Sequence, residues 1–215
     1  MNRRIVKEGI TFEHDYQNDL QSYLGAISRL IGDWELRIKG PDEVQLNPTP
    51  ALILRDVVAP VLRTLDPHFR QHNFSHENIH CSGFEEIPML FVDVSLLRQT
   101  FFNLLDNAIK YARPPRKNFT VNITANSITE DYQIKVADNG IGINHEDREK
   151  IFNRGYRGRP AANMTMGTGL GMFVSRGILR KHGGDLTVTS TINPTEITIL
   201  LPKSLAHTVP NERVK

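Results

Sequence analysis

The chain has 215 residues, 39% hydrophobic and 23% charged, enough to bury one substantial core with a helical appendage and too apolar to stay disordered. Its 26 basic and 24 acidic residues are interspersed and leave a net charge of +2, which argues against a nucleic-acid partner. The single Cys81 excludes an internal disulfide framework, no apolar run approaches the roughly 20 residues that span a bilayer, and no signal-peptide layout opens the chain, so a cytoplasmic protein is expected.

In chain order, Phe12, Tyr16, Leu20, Leu24, Ile27, Ile31, Trp34 and Ile38 recur every three or four positions and predict one long amphipathic helix over residues 10–39, stopped by Gly40 and Pro41. At 1.5 Å per residue it would be about 45 Å long, too long to pack wholly on a small domain, so its apolar stripe is expected to self-associate. After a turn-rich stretch from Gly40 to Pro50, residues 52–65 are expected to form the first helix of a globular part, ending before Pro67. Beyond it, β-rich runs at 119–125, 132–137, 186–191 and 196–201 alternate with helical patterns at 95–111, 145–152 and 170–182. The short polar links within the first and last pairs of strands predict hairpins in a mixed β-sheet, and the whole predicts a two-layer α/β sandwich.

Four segments carry candidate chemistry. In Asn103-Leu-Leu-Asp-Asn107-Ala-Ile-Lys110-Tyr111 the residues Asn103, Asn107, Lys110 and Tyr111 share one helix face. Amide oxygens suit a Mg²⁺ already neutralised by phosphates, the lysine offers a point charge to phosphate, and the tyrosine a flat wall; a solvated face opposite Leu104, Leu105 and Ala108 is the plain alternative. Asp138-Asn-Gly140-Ile-Gly142-Ile follows a strand directly. A carboxylate there can accept from an exocyclic amine while glycines let backbone approach a flat ring, although an ordinary turn has the same look. Ile151-Phe-Asn-Arg154-Gly-Tyr-Arg157-Gly, continuing through small residues to Met166, predicts a mobile lid carrying two arginines. Gly167-Thr168-Gly169-Leu170-Gly171-Met opens a helix whose N-terminal N–H groups can cradle phosphate oxygens.

In that order the segments resemble the N, G1, F and G2 boxes of the sensor histidine kinase catalytic domain, whose fold is the Bergerat ATP-binding sandwich of the GHKL superfamily. The resemblance covers about residues 50–203 and includes Phe91-Val-Asp93-Val-Ser-Leu-Leu-Arg-Gln99. It implies ATP and Mg²⁺ as cofactors, with Asn103 and Asn107 at the metal, Lys110 and Tyr111 lining the nucleotide, and Asp138 reading the adenine amine beside Gly140 and Gly142. Gly167, Thr168, Gly169, Leu170 and Gly171 would wrap the triphosphate, with Arg154 or Arg157 near the γ-phosphate. The family often has a glycine between its last two strands where this chain has Asn193-Pro-Thr-Glu196, which puts only that turn in doubt.

The resemblance also implies a division into a helical dimerisation and phosphotransfer segment at 1–40, a linker at 41–50, the ATPase domain at 51–203 and a tail at 204–215. The γ-phosphoryl group would pass to a histidine in a homodimer formed through the N-terminal helix, then to an aspartate on a response-regulator receiver domain; the chain could be the cytosolic part of a membrane-attached sensor. His14-Asp15-Tyr-Gln-Asn18 resembles the phosphoacceptor box. On a helix His14 lies about 200° from Phe12 and Tyr16, opposite the apolar stripe, with Asp15 placed to assist proton removal. Equally, residues 27–34 leading into Leu46-Asn-Pro-Thr-Pro resemble the end of the second helix of the family's hairpin, in which case His14 is an ordinary exposed histidine.

Rival readings are an ATP-binding regulatory module or serine kinase of the anti-sigma-factor type, and an ATP-gated clamp, which needs a transducer domain for which the chain leaves no room. His76-Glu77-Asn-Ile-His80 matches the H-E-x-x-H zinc pattern, but the segment is short, interrupted by Gly83 and without a helical apolar stripe, so no zinc is expected. His68, His72, His145 and His182 are expected at the surface or capping helix ends.

Overall fold

A computed structural model describes residues 44–72, 74, 76–113, 118–158 and 168–206. The helix expected over 10–39 with His14, lid residues 159–166, Gly167 and the tail from 207 lie outside the described residues. In chain order the elements are β1 (Thr49–Ala51), α1 (Ala59–Gln71), β2 (Ile79–Ser82), β3 (Leu90–Val92), α2 (Val94–Lys110), β4 (Val121–Ser127), β5 (Asp131–Asp138), α3 (Gly171–Lys181), β6 (Asp185–Thr191) and β7 (Thr195–Pro202). The main sheet has the order β2-β4-β5-β7-β6, with β2 parallel to β4 and every other neighbour antiparallel; β1 and β3 form a separate antiparallel pair. The mixed sheet with two hairpins and the α/β sandwich are as the sequence predicts.

Alternation along the strands builds the core. Ile123, Val136, Ile197 and Val188 lie in one cross-strand row, and Ala125, Ile134, Ile199 and Leu186 in the next, all buried, while Asn122 and Thr124 face outward. Over this apolar face α2 lays Leu97, Phe101, Leu104, Leu105, Ala108 and Ile109, and α3 lays Val174, Ile178 and Leu179. Burying a side chain of this size contributes about 1.5–3 kcal/mol before chain entropy is subtracted.

Asp93 starts α2. One carboxylate oxygen accepts the Leu96 N–H at 3.1 Å as an N-cap, and the other accepts the Asn47 N–H at 3.0 Å. Its own buried N–H donates to His182 Nε2 at 3.0 Å, so Nδ1 carries the proton and donates to the Ile178 carbonyl at 2.8 Å. His182 is thus the C-cap of α3, one of the two places expected for it, and it is buried instead of lying at the surface. Gly183 and Gly184 complete the cap by donating to the Arg180 and Leu179 carbonyls, the Schellman arrangement.

Two helices differ from expectation. Residues 53–58 form a π turn, with the Asp56 carboxylate accepting the Leu52 N–H at 2.8 Å, and α1 then runs through Pro67 to Gln71. Val61, Leu65 and Phe69 recur at four-residue spacing as its buried stripe. Burying Phe69 offsets most of the about 3 kcal/mol that an interior proline costs. Residues 145–152 form two 3₁₀ turns, His145–Asp147 and Lys150–Phe152, rather than an α-helix, because a segment so short is not helical alone and Asp147 and Phe152 are drawn inward separately. The strands β1, β2 and β3 have no clear period in the sequence, being three or four residues long and largely exposed at β1 and β2.

Arg176 ties α3 to its surroundings. It donates to both oxygens of Asp185 at 2.8 and 3.1 Å and to Glu149 at 3.1 Å, and stands 4.6 Å over the Phe152 ring. Partial loss of water pushes the Asp185 carboxyl up, but Arg176, the Leu186 N–H and Arg180 outweigh it and hold the group at about 2. A depressed carboxylate contributes stability above its unfolded value near 4 and loses it as pH falls through the folded value. Asp185→Asn is therefore expected to destabilise the fold by about 1–3 kcal/mol at neutral pH, the deficit closing as pH falls towards 2; urea unfolding across this range checks it.

Candidate functional site

The central strand β5 places the carboxylate. Tyr132, Ile134 and Val136 face the core, and the next residue in that alternation is Asp138, level with Val121 on β4 and Thr195 on β7. A charge thus ends an apolar row. Loss of water raises the Asp138 carboxyl to about 6, against the opposing Gly140 N–H, which donates to Oδ1 at 2.8 Å. Because the value is raised, the stability this group contributes is fully present below about 4, falls as pH rises towards 6 and is gone above it.

The turn after Asp138 is pinned from both sides. Ile141 N–H donates to the Tyr111 carbonyl at 2.9 Å, and Ile143 N–H to the Thr191 carbonyl at 2.8 Å, beside Gly142. Gly140 is needed for protein packing: a Cβ there would lie 2.5 Å from the Tyr111 carbonyl oxygen and 2.7 Å from Asp138 Oδ1. The sequence assigned that closeness to a ligand ring; the neighbours within the protein already demand it.

On α2 the amide face meets α3. Asn103 Nδ2 donates to the Gly171 carbonyl at 3.2 Å and to Ser175 Oγ at 3.1 Å. Lys110 is turned along its own helix to Asp106, whose other oxygen lies 3.5 Å from His68 Nδ1. Tyr111 is the half-buried C-cap of α2. Among the described residues, the N-terminus of α3 has no side-chain cap and no acidic residue in its first turn to mask the positive end of its dipole.

Gly169 joins this end of α3 to the arginine-bearing segment. Its φ of +67 and the 2.6 Å that would separate its Cβ from the Tyr156 carbonyl both exclude a side chain, and its own carbonyl accepts the Gly155 N–H at 3.2 Å. Thr168 is exposed and Leu170 half-buried. The base of the expected lid is anchored by Asp147, which accepts the Tyr156 hydroxyl at 2.5 Å and leaves no room for a Cβ on Gly158. Arg154 is exposed and Arg157 half-buried on this segment.

Three contacts therefore chain the four motifs together: Tyr111 with Ile141, Asn103 with Gly171, and Gly169 with Gly155. Sequence reasoning missed Asp106, Asp147, Tyr156 and Ser175. Two had a signal, since Asp106 precedes Lys110 by four and Ser175 follows Gly171 by four, each on the same helix face. The H-E-x-x-H pattern is split between a 3₁₀ turn and β2, and among the described residues no three His, Cys, Asp or Glu side chains gather in a group that could hold a metal ion.

A sheet that ends one central strand in a carboxylate and is backed by two antiparallel helices, one with an amide face and the other with an open N-terminus, defines an ATP-binding α/β sandwich. The chain belongs to the family of histidine kinase-, DNA gyrase B-, and HSP90-like ATPases, whose model matches residues 92–205. The adaptive-response sensory kinase SasA of Gloeothece citriformis is 33% identical over 151 residues, which cover 70% of this chain and 37% of that protein. The chain thus spans little more than a third of this relative's length. Among solved structures, full-length ShkA in complex with AMPPNP aligns with a TM-score of 0.65 at 22% identity, covering 86% of this chain and 36% of that one. Histidine kinase ThkA in complex with response regulator TrrA aligns with a TM-score of 0.61 at 22% identity, covering 83% and 48%. At these identities the two structures speak for the fold.

Gly140→Ala is expected to cost about 1–3 kcal/mol of stability through overpacking, and to loosen the turn against Tyr111. Urea unfolding, with amide exchange of Ile141 as the local readout, checks it; an unchanged midpoint contradicts the packing assignment.

Proposed function

We propose that the chain is the ATP-binding catalytic portion of a two-component sensor histidine kinase, passing the γ-phosphoryl group of ATP to a histidine and thence to a response-regulator aspartate. The observation that carries this is the hydrogen-bonded meeting of the amide face of α2 with the open N-terminus of α3. The first suits a cation and the second suits phosphate oxygens, the two needs of a metal-bound triphosphate. The residues fit Mg²⁺. Asn103 has both amide hydrogens committed to α3, which leaves Oδ1 as an acceptor, and the Asn107 side chain, one turn on, makes no hydrogen bond among the described residues. A Mg²⁺ held there would neutralise phosphate charge.

The chain's own residues divide the remaining work. Asp138, with Oδ1 held by Gly140, has its second oxygen to accept the adenine amine. Lys110, on releasing Asp106, and Arg154 or Arg157 would carry charge to the phosphates; Tyr111, Gly140 and Gly142 would border the base, and Gly167 to Gly171 the triphosphate. Transfer then rests on positioning and charge neutralisation, with an imidazole nitrogen attacking the γ-phosphorus and ADP leaving. Dimerisation through the apolar stripe from Phe12 to Ile38 would present that imidazole, and the ThkA complex with TrrA supports a response regulator as the recipient.

Adenosine, which has no titrating phosphate, is expected to bind more weakly as pH falls through 6, because the protonated Asp138 oxygen donates where it must accept. Asp138→Asn should remove that slope and weaken binding by about 1.5–3 kcal/mol at neutral pH; calorimetry with a pH-independent wild type would contradict the adenine role. Transfer itself is tested with γ-labelled ATP and an added histidine-bearing two-helix fragment. An acid-labile, alkali-stable label is expected, either on His14 and abolished by His14→Gln, or on the fragment. Retained ATP binding with label on neither would favour the regulatory-module alternative instead.

A further inference from the structure

We infer that Ser175 is a positioning residue that fixes the amide of Asn103 so that its oxygen faces the cation. The inference rests on the proposed Mg²⁺ role of Asn103 and extends it to a residue outside the four motifs. Ser175 lies four residues after Gly171, on the face of α3 turned to α2, and is fully buried. A hydroxyl gains nothing for packing there. Burial without a partner costs free energy and serine is a poorer helix former than alanine, so a serine at this position calls for a polar reason. Asn103 supplies it, with Nδ2 at 3.1 Å from Ser175 Oγ and at 3.2 Å from the Gly171 carbonyl.

The orientation of the amide follows from donor and acceptor chemistry. A carbonyl only accepts, so the nitrogen of Asn103 must be the atom that faces Gly171, and the two N–H bonds are shared between that carbonyl and Ser175. Oδ1 is then directed away from both acceptors and held by two bonds, not one. Without the hydroxyl, one amide hydrogen of Asn103 has no partner on α3, and rotation of the amide is restrained only by Gly171. The effect reaches the cation through Asn103, as outer residues do at metal sites, where their loss costs about 10- to 100-fold in metal affinity.

The test compares ATP affinity in Mg²⁺ with ATP affinity in EDTA, by calorimetry on the 215-residue chain; the ratio is the metal increment. Ser175→Ala is expected to lower the increment about tenfold while leaving adenosine affinity as in the wild type. Ser175→Thr and Ser175→Val have the same shape and differ in the hydroxyl alone, so they keep the test readable if packing suffers: threonine should preserve the increment and valine lose it. Equal increments in the wild type, alanine and valine proteins would overturn the positioning role. So would parallel losses in threonine and valine that extend to adenosine, the mark of a merely structural serine. A wild type with no metal increment would overturn the cation reading and this inference with it, a failure visible before any variant is made.

Discussion

Asp93 grips His182 at one end of the paired helices α2 and α3, and Asn103 grips Gly171 at the other, so the register of the two helices is fixed by two polar clasps. The spans are matched. From Asp93 to Asn103 and from Gly171 to His182 the chain advances about 15–17 Å at helical rise, so both clasps close without bending either helix. Apolar packing on the sheet holds the helices down but tolerates sliding, whereas a hydrogen bond at each end does not. This matters because the proposed machinery is split: amide oxygens belong to α2 and phosphate-facing N–H groups to α3. A one-residue slip would turn Asn103 by about 100° away from the helix end it serves.

The second constraint is the carboxylate at the end of an apolar row. Continuing the core-facing alternation of β5 by one step puts Asp138 where hydration is poor, and its raised value of about 6 is the consequence. The fold is less stable for it and the site is better poised, since a group short of water gains more from a ligand's amine than a solvated one. Nearby, Asp147 with Tyr156, and Gly155 with Gly169, anchor the base of the arginine-bearing segment to the rest of the domain.

Much of this was legible in the sequence where the signal was periodic or worded. The two hairpins followed from short polar links between β-rich runs, and the helix expected over 95–111 from its apolar period, although its aspartate cap was not read. The order of four short motifs gave the ATPase family, and with it the proposed nucleotide site. What escaped had a physical reason. The helix α1 passes Pro67 because Phe69 is worth burying, a tertiary gain that a local rule about proline does not see. The segment 145–152 looked helical, but its apolar residues are too few to outweigh separate inward anchors at Asp147 and Phe152. His182 read as a surface or capping residue and does cap α3, but nothing local reveals its burial or that its ring nitrogen meets the N–H of a residue 89 positions away. For Ser175 the spacing from Gly171 showed only its helix face; its partner Asn103 lies across the interface, on another helix.

In the proposed site one nucleotide touches the C-terminal half of α2, the turn after β5 and the N-terminus of α3 together. Amide hydrogen exchange of the chain with and without saturating ATP and Mg²⁺ tests it most directly. Slowed exchange is expected at residues 103–111, 138–143 and 168–173, with α1 and β2 unchanged. Protection confined to α1 and β2, or to only one of the three segments, would contradict a shared site.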